Sequence, residues 1–243
     1  MRFFIRFCER EHKHKITIAG LMRYRKIPGE TIRRLPIYLR GLLFSSEQGR
    51  ESISSQDLAD FVGANPWQIR KDFSYFGEFG IPGVGYDIEN LTREIKKILK
   101  LDVVQKAALV GAGNLGSAVL AYTGFKVYGF DIAAAFDTDP KKVGKKIKNV
   151  VIEDVSNLRL LSKRKIKLAI IAVPRDSAQK TADALVKAGI KGILNFSPCR
   201  IAAPRKVKVI TIDIAMDLAR LPYYMPSSLS DAASVSSKQS AFA

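Results

Sequence analysis

The run GAGNLG, Gly111 to Gly116, follows directly on the apolar stretch QKAALV. Glycines at this spacing, between a strand and a helix start, constrain the fold more than any other feature of the chain. Gly111 permits a tight turn out of the strand. Gly113 lets a phosphate approach the backbone with no Cβ in the way, and Gly116 lets the helix pack close to the strand. With Ala112, Asn114 and Leu115 they present backbone N–H groups which, with the dipole of the following helix, favour an anion. The pattern also asks for an acid about twenty residues on. Asp137, at the end of IAAAFD, is that acid. A carboxylate there accepts hydrogen bonds from ribose hydroxyls and repels a 2′-phosphate, so the residues predict NAD(H) rather than NADP(H). Asp139, just before Pro140, reads as a turn residue.

From Gln105 onward, apolar runs alternate with helical patterns. QKAALV, YGFDIAAAFD, IKLAIIAVP, KGILNFS and VKVITID read as strands. NLGSAVLAY and DSAQKTADALVKAG read as helices, the second stopped by Gly189. This alternation predicts an α/β fold, a parallel sheet covered by helices over 101–212. Ligands of such sheets occupy the carboxyl edge, which places Val173, Pro174 and Arg175 beside the cofactor. MDLARLPYYM, within 213–225, reads as a terminal helix broken by Pro222, and the Ser-rich 226–243 as a disordered tail.

Residues 28–100 are patterned differently. In TIRRLPIYLRGLLFSS, Ile32, Leu35, Leu39, Leu42 and Leu43 form one helical face, with Arg33, Arg34 and Arg40 off it. SISSQDLADFVG predicts a short helix capped by Ser54 or Ser55, packed through Leu58, Ala59 and Phe61 or Val62, and ended by Gly63. ANPWQIRKDFSYFG follows, with Asn65 as N-cap and Pro66 at the first helical position. Ile69 and Phe73 share its inner face, which turns Gln68, Arg70, Lys71 and Ser74 outward. This is a helix-turn-helix pattern. The glycine-rich GEFGIPGVGYD then suits a tight hairpin, the wing of a winged helix. IENLTREIKKILK reads as an amphipathic helix leading out.

Forty Lys and Arg oppose 23 Asp and Glu, for a formal net charge of +17. That excess favours a polyanion, nucleic acid before an anionic membrane surface. No apolar run approaches the roughly 18 residues of a membrane span. Residues 1–21 lack the apolar core of a secretory signal and read as a disordered extension, with Met22 a credible alternative start. Cys8 and Cys199 make neither a metal site nor a disulfide framework, and a reducing cytoplasm is the simplest compartment. A carbonyl reductase needs a proton donor near the nicotinamide. The two histidines, His12 and His14, lie in the extension. Tyr122 and Lys126 match a Tyr-x-x-x-Lys pair, but too early in the α/β part to serve as one. No metal-ligand cluster is visible. The residues thus predict a non-catalytic sensor, with an NAD-dependent oxidoreductase or a CoA- or nucleotide-binding module as the rival readings.

RLPIYLR, RKDFSYFGEFGIPGVGY, VGAGNLGSAV, AAAFDTDPKKVG, AVPRDSAQKTAD and AGIKGILNFSP together resemble the redox-sensing transcriptional repressor family Rex, from about Pro28 to Met225. The resemblance implies a homodimer in which an N-terminal winged helix-turn-helix domain precedes a Rossmann-type domain and a C-terminal helix is exchanged between subunits. It implies binding to palindromic operator DNA and release by NADH as effector. Arg33, Arg34, Pro66, Gln68, Arg70, Lys71, Ser74 and Tyr75, with Gly83 and Gly85 in the wing, are then expected at the DNA. Tyr122, Asp213 and Arg40 match family positions that couple cofactor state to dimer geometry. Ile214 departs from the Leu or Phe frequent after that Asp.

Overall fold

The computed structural model describes residues 27–81 and 83–225. The expected extension and tail, with His12, His14 and Cys8, lie outside them. The chain divides into two compact units between Val103 and Val104.

In the first unit, helix α1 spans Gly29–Glu47. Helix α2, Ser55–Val62, is capped by the Ser54 hydroxyl, which accepts from the Asp57 N–H, and ends at Gly63 in the left-handed region. Helix α3, Pro66–Ser74, starts where the Asn65 side chain accepts from the Trp67 N–H at 2.8 Å. Strands β1 (Ser52–Ile53), β2 (Gly80–Ile81) and β3 (Gly85–Asp87) form an antiparallel sheet in the order β1-β3-β2. Gly85 is obligatory there, since a Cβ would stand 2.5 Å from the Ile53 carbonyl oxygen. Helix α4, Ile88–Ile98, is capped by Asp87.

Leu35, Tyr38, Leu39, Leu42, Leu58, Ile69, Phe73, Leu91 and Ile95 fill the core. Phe73 meets Tyr38, Phe79 and Tyr86 edge-on, with ring centroids 5.4, 6.1 and 5.2 Å away. Burying each such apolar side chain contributes about 1.5–3 kcal/mol. One expected core position is corrected. Ile32 is 40 % exposed, because Thr31 and Tyr38 occupy the inward stripe of α1 instead. Of Phe61 and Val62, Val62 packs on the core, while Phe61 is exposed and lies against Phe44 on the surface, 4.8 Å between rings.

The second unit is a Rossmann-type sheet. It comprises β4 (Gln105–Val110), helices α5 (Asn114–Ala121) and α6 (Gly124–Val127), β5 (Phe130–Asp137), β6 (Lys146–Ile147) and β7 (Val150–Asp154). A 3-10 turn (Val155–Leu160), β8 (Leu168–Ile171), α7 (Arg175–Lys187), β9 (Gly192–Asn195), β10 (Lys208–Thr211) and α8 (Ile214–Leu218) complete it. The strand order is β10-β9-β8-β4-β5-β7-β6, parallel throughout except for β6 against β7. Burial on both faces explains the near-continuous apolar runs of β4 and β8.

Sequence patterning misses β6 and β7, short strands joined through Lys148 at φ +51° and written in a charged stretch, KIKNVVIED. The terminal helix is shorter than expected. It ends at Leu218, and a separate 3-10 turn holds Leu221–Tyr224. Tyr122 caps the end of α5, so a helix break separates it from Lys126.

Candidate functional site

The glycine turn leaves β4 at the carboxyl edge of the sheet. Gly111 has φ +96°, and a Cβ on it would lie 2.4 Å from the Ala172 carbonyl oxygen. A Cβ on Gly116 would lie 1.8 Å from the Gly111 oxygen. Packing alone therefore demands both. Gly113 differs: its φ of −76° suits any residue, and a Cβ there meets nothing within 4 Å. The one glycine that the protein's own atoms do not require is the one a pyrophosphate needs. No side chain caps α5, which leaves the first-turn N–H groups at Asn114, Leu115 and Gly116 for an outside anion. The corner thus fits a dinucleotide phosphate.

Asp137 ends β5 beside this turn and is 7 % exposed. Its Oδ2 accepts from the Ala112 N–H at 2.8 Å and from Lys142 Nζ at 3.1 Å, and its Oδ1 accepts from the Asp139 N–H at 2.9 Å. Burial opposes its charge. The Asp139 and Ala112 N–H groups, then the Lys142 ammonium, outweigh burial and hold the carboxyl below the ordinary carboxylate value. The residue expected to meet a ribose thus also pins the glycine turn from beneath. Asp139 receives the Lys141 N–H and forms the turn before Pro140.

Val173, Pro174 and Arg175 lead from β8 into α7, with Arg175 exposed. Sequence reasoning misses what holds this loop. Ser197, 1 % exposed, donates to the Val173 carbonyl at 2.6 Å. Asn195, fully buried, donates to the carbonyls of Ser197 and Cys199 and accepts from the Ser197 N–H. The available signal was a pair of polar residues closing an otherwise apolar strand, ILNFS. Asp213 caps α8 by accepting from the Met216 N–H at 3.1 Å. Tyr122 is 60 % exposed, its ring edge-on to Phe125.

In the first unit, Trp67, Arg70, Lys71 and Ser74 form the outward face of α3. Arg70 donates to the Ser55 hydroxyl at 2.6 Å, which anchors it across α2 and α3. The Lys71 ammonium lies 4.7 Å from the Trp67 ring centroid. Ser74 donates back to the Lys71 carbonyl. Tyr75 and Pro66 are half-buried. Between α3 and the wing lies a cleft of about 460 Å³ lined by Ser54, Arg70, Ser74, Gly83 and Gly85 among others. Trp67, 58 % exposed, is a candidate the sequence reading overlooked. Its i, i+3, i+4, i+7 spacing with Arg70, Lys71 and Ser74 is the signal.

Two expectations for this surface are corrected. Arg34 donates to Asp72 twice, Nε at 2.6 Å and Nη2 at 2.8 Å, and Gln68 donates to it at 3.0 Å. Thr31 and Tyr38 donate to the same carboxylate at 2.9 and 2.7 Å. Arg34 and Gln68 are therefore committed inside the domain, tying α1 to α3, because Asp72 is fully buried and needs donors. Burial opposes the Asp72 charge, but the bonds from Arg34, Tyr38 and Thr31 overcome it and lower its pKa. Burial and the same carboxylate raise the Tyr38 pKa above the ordinary tyrosine value. Arg33 and Arg40 stay exposed on α1. Among the described residues, no group of His, Cys, Asp and Glu could hold a metal ion, and no helix is long and apolar enough to cross a membrane.

A winged helix with a cationic recognition face and a separate nucleotide-type sheet define the class of ligand-responsive transcription regulators. Residues 26–74 match the family described as "Putative DNA-binding protein N-terminus", and residues 103–199 that described as "CoA binding domain". The redox-sensing transcriptional repressor Rex of Chloroflexus aurantiacus is 46 % identical over 199 residues, covering 82 % of this chain and 94 % of its own. That of Brevibacillus brevis is 43 % identical over 206 residues, 84 % of this chain and all of its own. Among solved structures, RSP in complex with β-NAD⁺ and operator DNA superposes with a TM-score of 0.77 at 35 % identity, covering 90 % of this chain and 100 % of that one. RSP in complex with β-NADH gives 0.74 at 36 % identity, covering 82 % and 94 %. The chain belongs to the Rex family of redox-sensing transcriptional repressors. Its relatives are named as regulators rather than enzymes.

Proposed function

We propose that this chain is a cytoplasmic homodimer that represses transcription from a palindromic operator and leaves the DNA when it takes up NADH. The observation that carries this reading is the pairing of the open space at Gly113 with an outward cationic face on α3 in one chain. Relatives named for redox sensing support it, as does the neighbour described with NAD⁺ and operator DNA.

The N–H groups of Asn114, Leu115 and Gly116 beside the open Gly113 would hold the pyrophosphate of NAD(H), while Gly111 and Ala112, whose own N–H groups bond Phe136 and Asp137, shape the turn beneath it. Asp137 would hold the adenosine ribose, and Val173, Pro174 and Arg175 the inner end of the cofactor. The nicotinamide supplies a ring that is positive when oxidised and neutral when reduced. Arg40, Tyr122 and Asp213 convert that difference into dimer geometry, with Ile214 an apolar neighbour. A pair of recognition helices reads half-sites about 34–36 Å apart, so a rotation between subunits is enough to lose the operator. Arg70 and Lys71 reach bases or phosphates. Arg33, Pro66, Ser74, Tyr75, Gly83 and Gly85 position the backbone, and Arg34 and Gln68 act through Asp72.

A gel-shift titration on a palindromic operator, with NADH and NAD⁺ in parallel, tests this. NADH should release the DNA and NAD⁺ should not. Equal effects at saturation would remove the redox reading, because equal coupling carries no redox information. Arg70→Ala should weaken operator binding by about 1–3 kcal/mol if it contacts a base. A preference for CoA over NADH would favour the reading suggested by the second family description.

A further inference from the structure

Within the described residues, the positive charge is not where a DNA-reading domain would put it. Between residues 27 and 103 there are ten Lys and Arg against eleven Asp and Glu, a net charge of −1. Between residues 104 and 225 there are twenty-one against nine, a net charge of +12. Residues 1–26 carry a further +6, eight Lys and Arg against two Glu; within the described residues the excess belongs to the α/β domain, and part of it is concentrated.

Strands β8, β9 and β10 are parallel neighbours, so the turns that feed them share the amino-terminal edge of the sheet, opposite the glycine turn. Lys163, Lys165 and Lys167 lie in the turn before β8, Lys191 before β9, and Lys206 and Lys208 at the entry to β10. Backbone bonds join these turns: the Lys191 N–H donates to the Lys167 carbonyl at 2.8 Å, and the Lys208 N–H to the Lys191 carbonyl at 2.9 Å. Adjacent strands are about 4.8 Å apart, so the lysines form a close row. All six are exposed, and none has a carboxylate partner among the described residues. The segments 161–168, 187–192 and 204–209 contain no acid. Farther along the same edge the charge is balanced, with Lys106 on β4 in register with Asp131 on β5.

We propose that this lysine edge is a second, sequence-independent binding surface for the phosphate backbone of double-stranded DNA, separate from the recognition helix and from the cofactor corner. Lysine is a compact point charge on a flexible stem, suited to phosphates without base readout. An acidic protein partner fits less well. Protein interfaces are depleted in lysine and built on aromatic or apolar anchors. None of the exposed large hydrophobic residues falls in these three segments. The same lack of an apolar anchor argues against insertion into a membrane.

The test uses the full chain with saturating NADH and a duplex of scrambled sequence, titrated at several salt concentrations. Neutralising six phosphate contacts with K163Q, K165Q, K167Q, K191Q, K206Q and K208Q should flatten the slope of log K against log salt by up to about 5. Affinity at low salt should fall at least about tenfold for the same reason. Two triple variants, K163Q/K165Q/K167Q and K191Q/K206Q/K208Q, divide the surface should the sextuple variant fail to fold, and each should lose about half of that slope. K106Q/K126Q/K180Q removes the same charge as a triple variant and should change the slope less. An unchanged slope in the lysine-edge variants, an equal loss in this control, or preferential capture by poly-glutamate or anionic vesicles would each overturn the proposal. Operator binding without NADH, measured on the same variants, reports the recognition helix. Its absence in the unmodified chain would sink the repressor reading without touching this one.

Discussion

Asp72 in the first domain and Asp137 in the second are both buried carboxylates whose charge is held by hydrogen bonds, yet they are built from different materials. Asp72 takes side-chain donors from Thr31, Arg34 and Tyr38, thirty-four to forty-one residues away, and from Gln68 on its own helix. Asp137 takes two backbone N–H groups and one lysine. The first joins two helices inside its domain. The second fixes the glycine turn at the carboxyl edge of the sheet. A carboxylate satisfied by side chains locks parts together, whereas one satisfied by the backbone shapes a surface that something else can use.

Removing Asp72 should break that comparison most. Asp72→Ala leaves a guanidinium and three further donors without an acceptor, and should destabilise the first domain by about 3–5 kcal/mol. The sole tryptophan, Trp67, stands on α3 and reports this unfolding by fluorescence in a urea titration. Gly116→Ala should destabilise the second domain by about 3 kcal/mol, since its Cβ collides with backbone. Gly113→Ala should leave stability within about 0.5 kcal/mol. It should nonetheless lower NADH affinity at least tenfold, measured by calorimetry; equal losses of stability in the two variants would erase the distinction drawn at the turn.

Asp137→Asn should cost about 1–3 kcal/mol, because the Ala112 and Asp139 N–H groups keep only a weaker acceptor. It should also narrow the preference for NADH over NADPH, read from the two dissociation constants. Acid gives a further contrast. Both carboxyls have folded pKa values below those of the unfolded chain. Their contribution is therefore complete above the unfolded value of about 3.9 and drains away as the pH falls through the folded values. Asp72→Asn should flatten the acid-induced loss seen by Trp67 below about pH 4. Lys142→Ala should have the smallest effect, under about 1 kcal/mol, as expected of a partly exposed pair.

What the residues alone could reveal follows the same division. The glycine turn, the Asn65 and Ser54 caps and the Gly63 stop are local, and each is visible because a backbone need maps onto one residue type. The long strands of the sheet were legible from their apolar runs. Strands β6 and β7 were not, since strands of two and five residues carry too little periodicity. Arg34 and Gln68 were misread as outward groups because helical spacing says which face a side chain leaves from, and not that a buried acid thirty-eight residues from Arg34 will draw it inward. The +17 charge was legible as a total but not as to place, since only the fold shows that six of the lysines share three turns of one sheet edge.

The empty space beside Gly113 has one more consequence. Where the atoms that receive a ligand are not the atoms that hold the turn together, affinity can drift without loss of the fold. A regulator built this way has an adjustable threshold. Small changes at that one position, or along the rim that faces it, would retune the concentration at which the switch is thrown, while the scaffold beneath stays as it is.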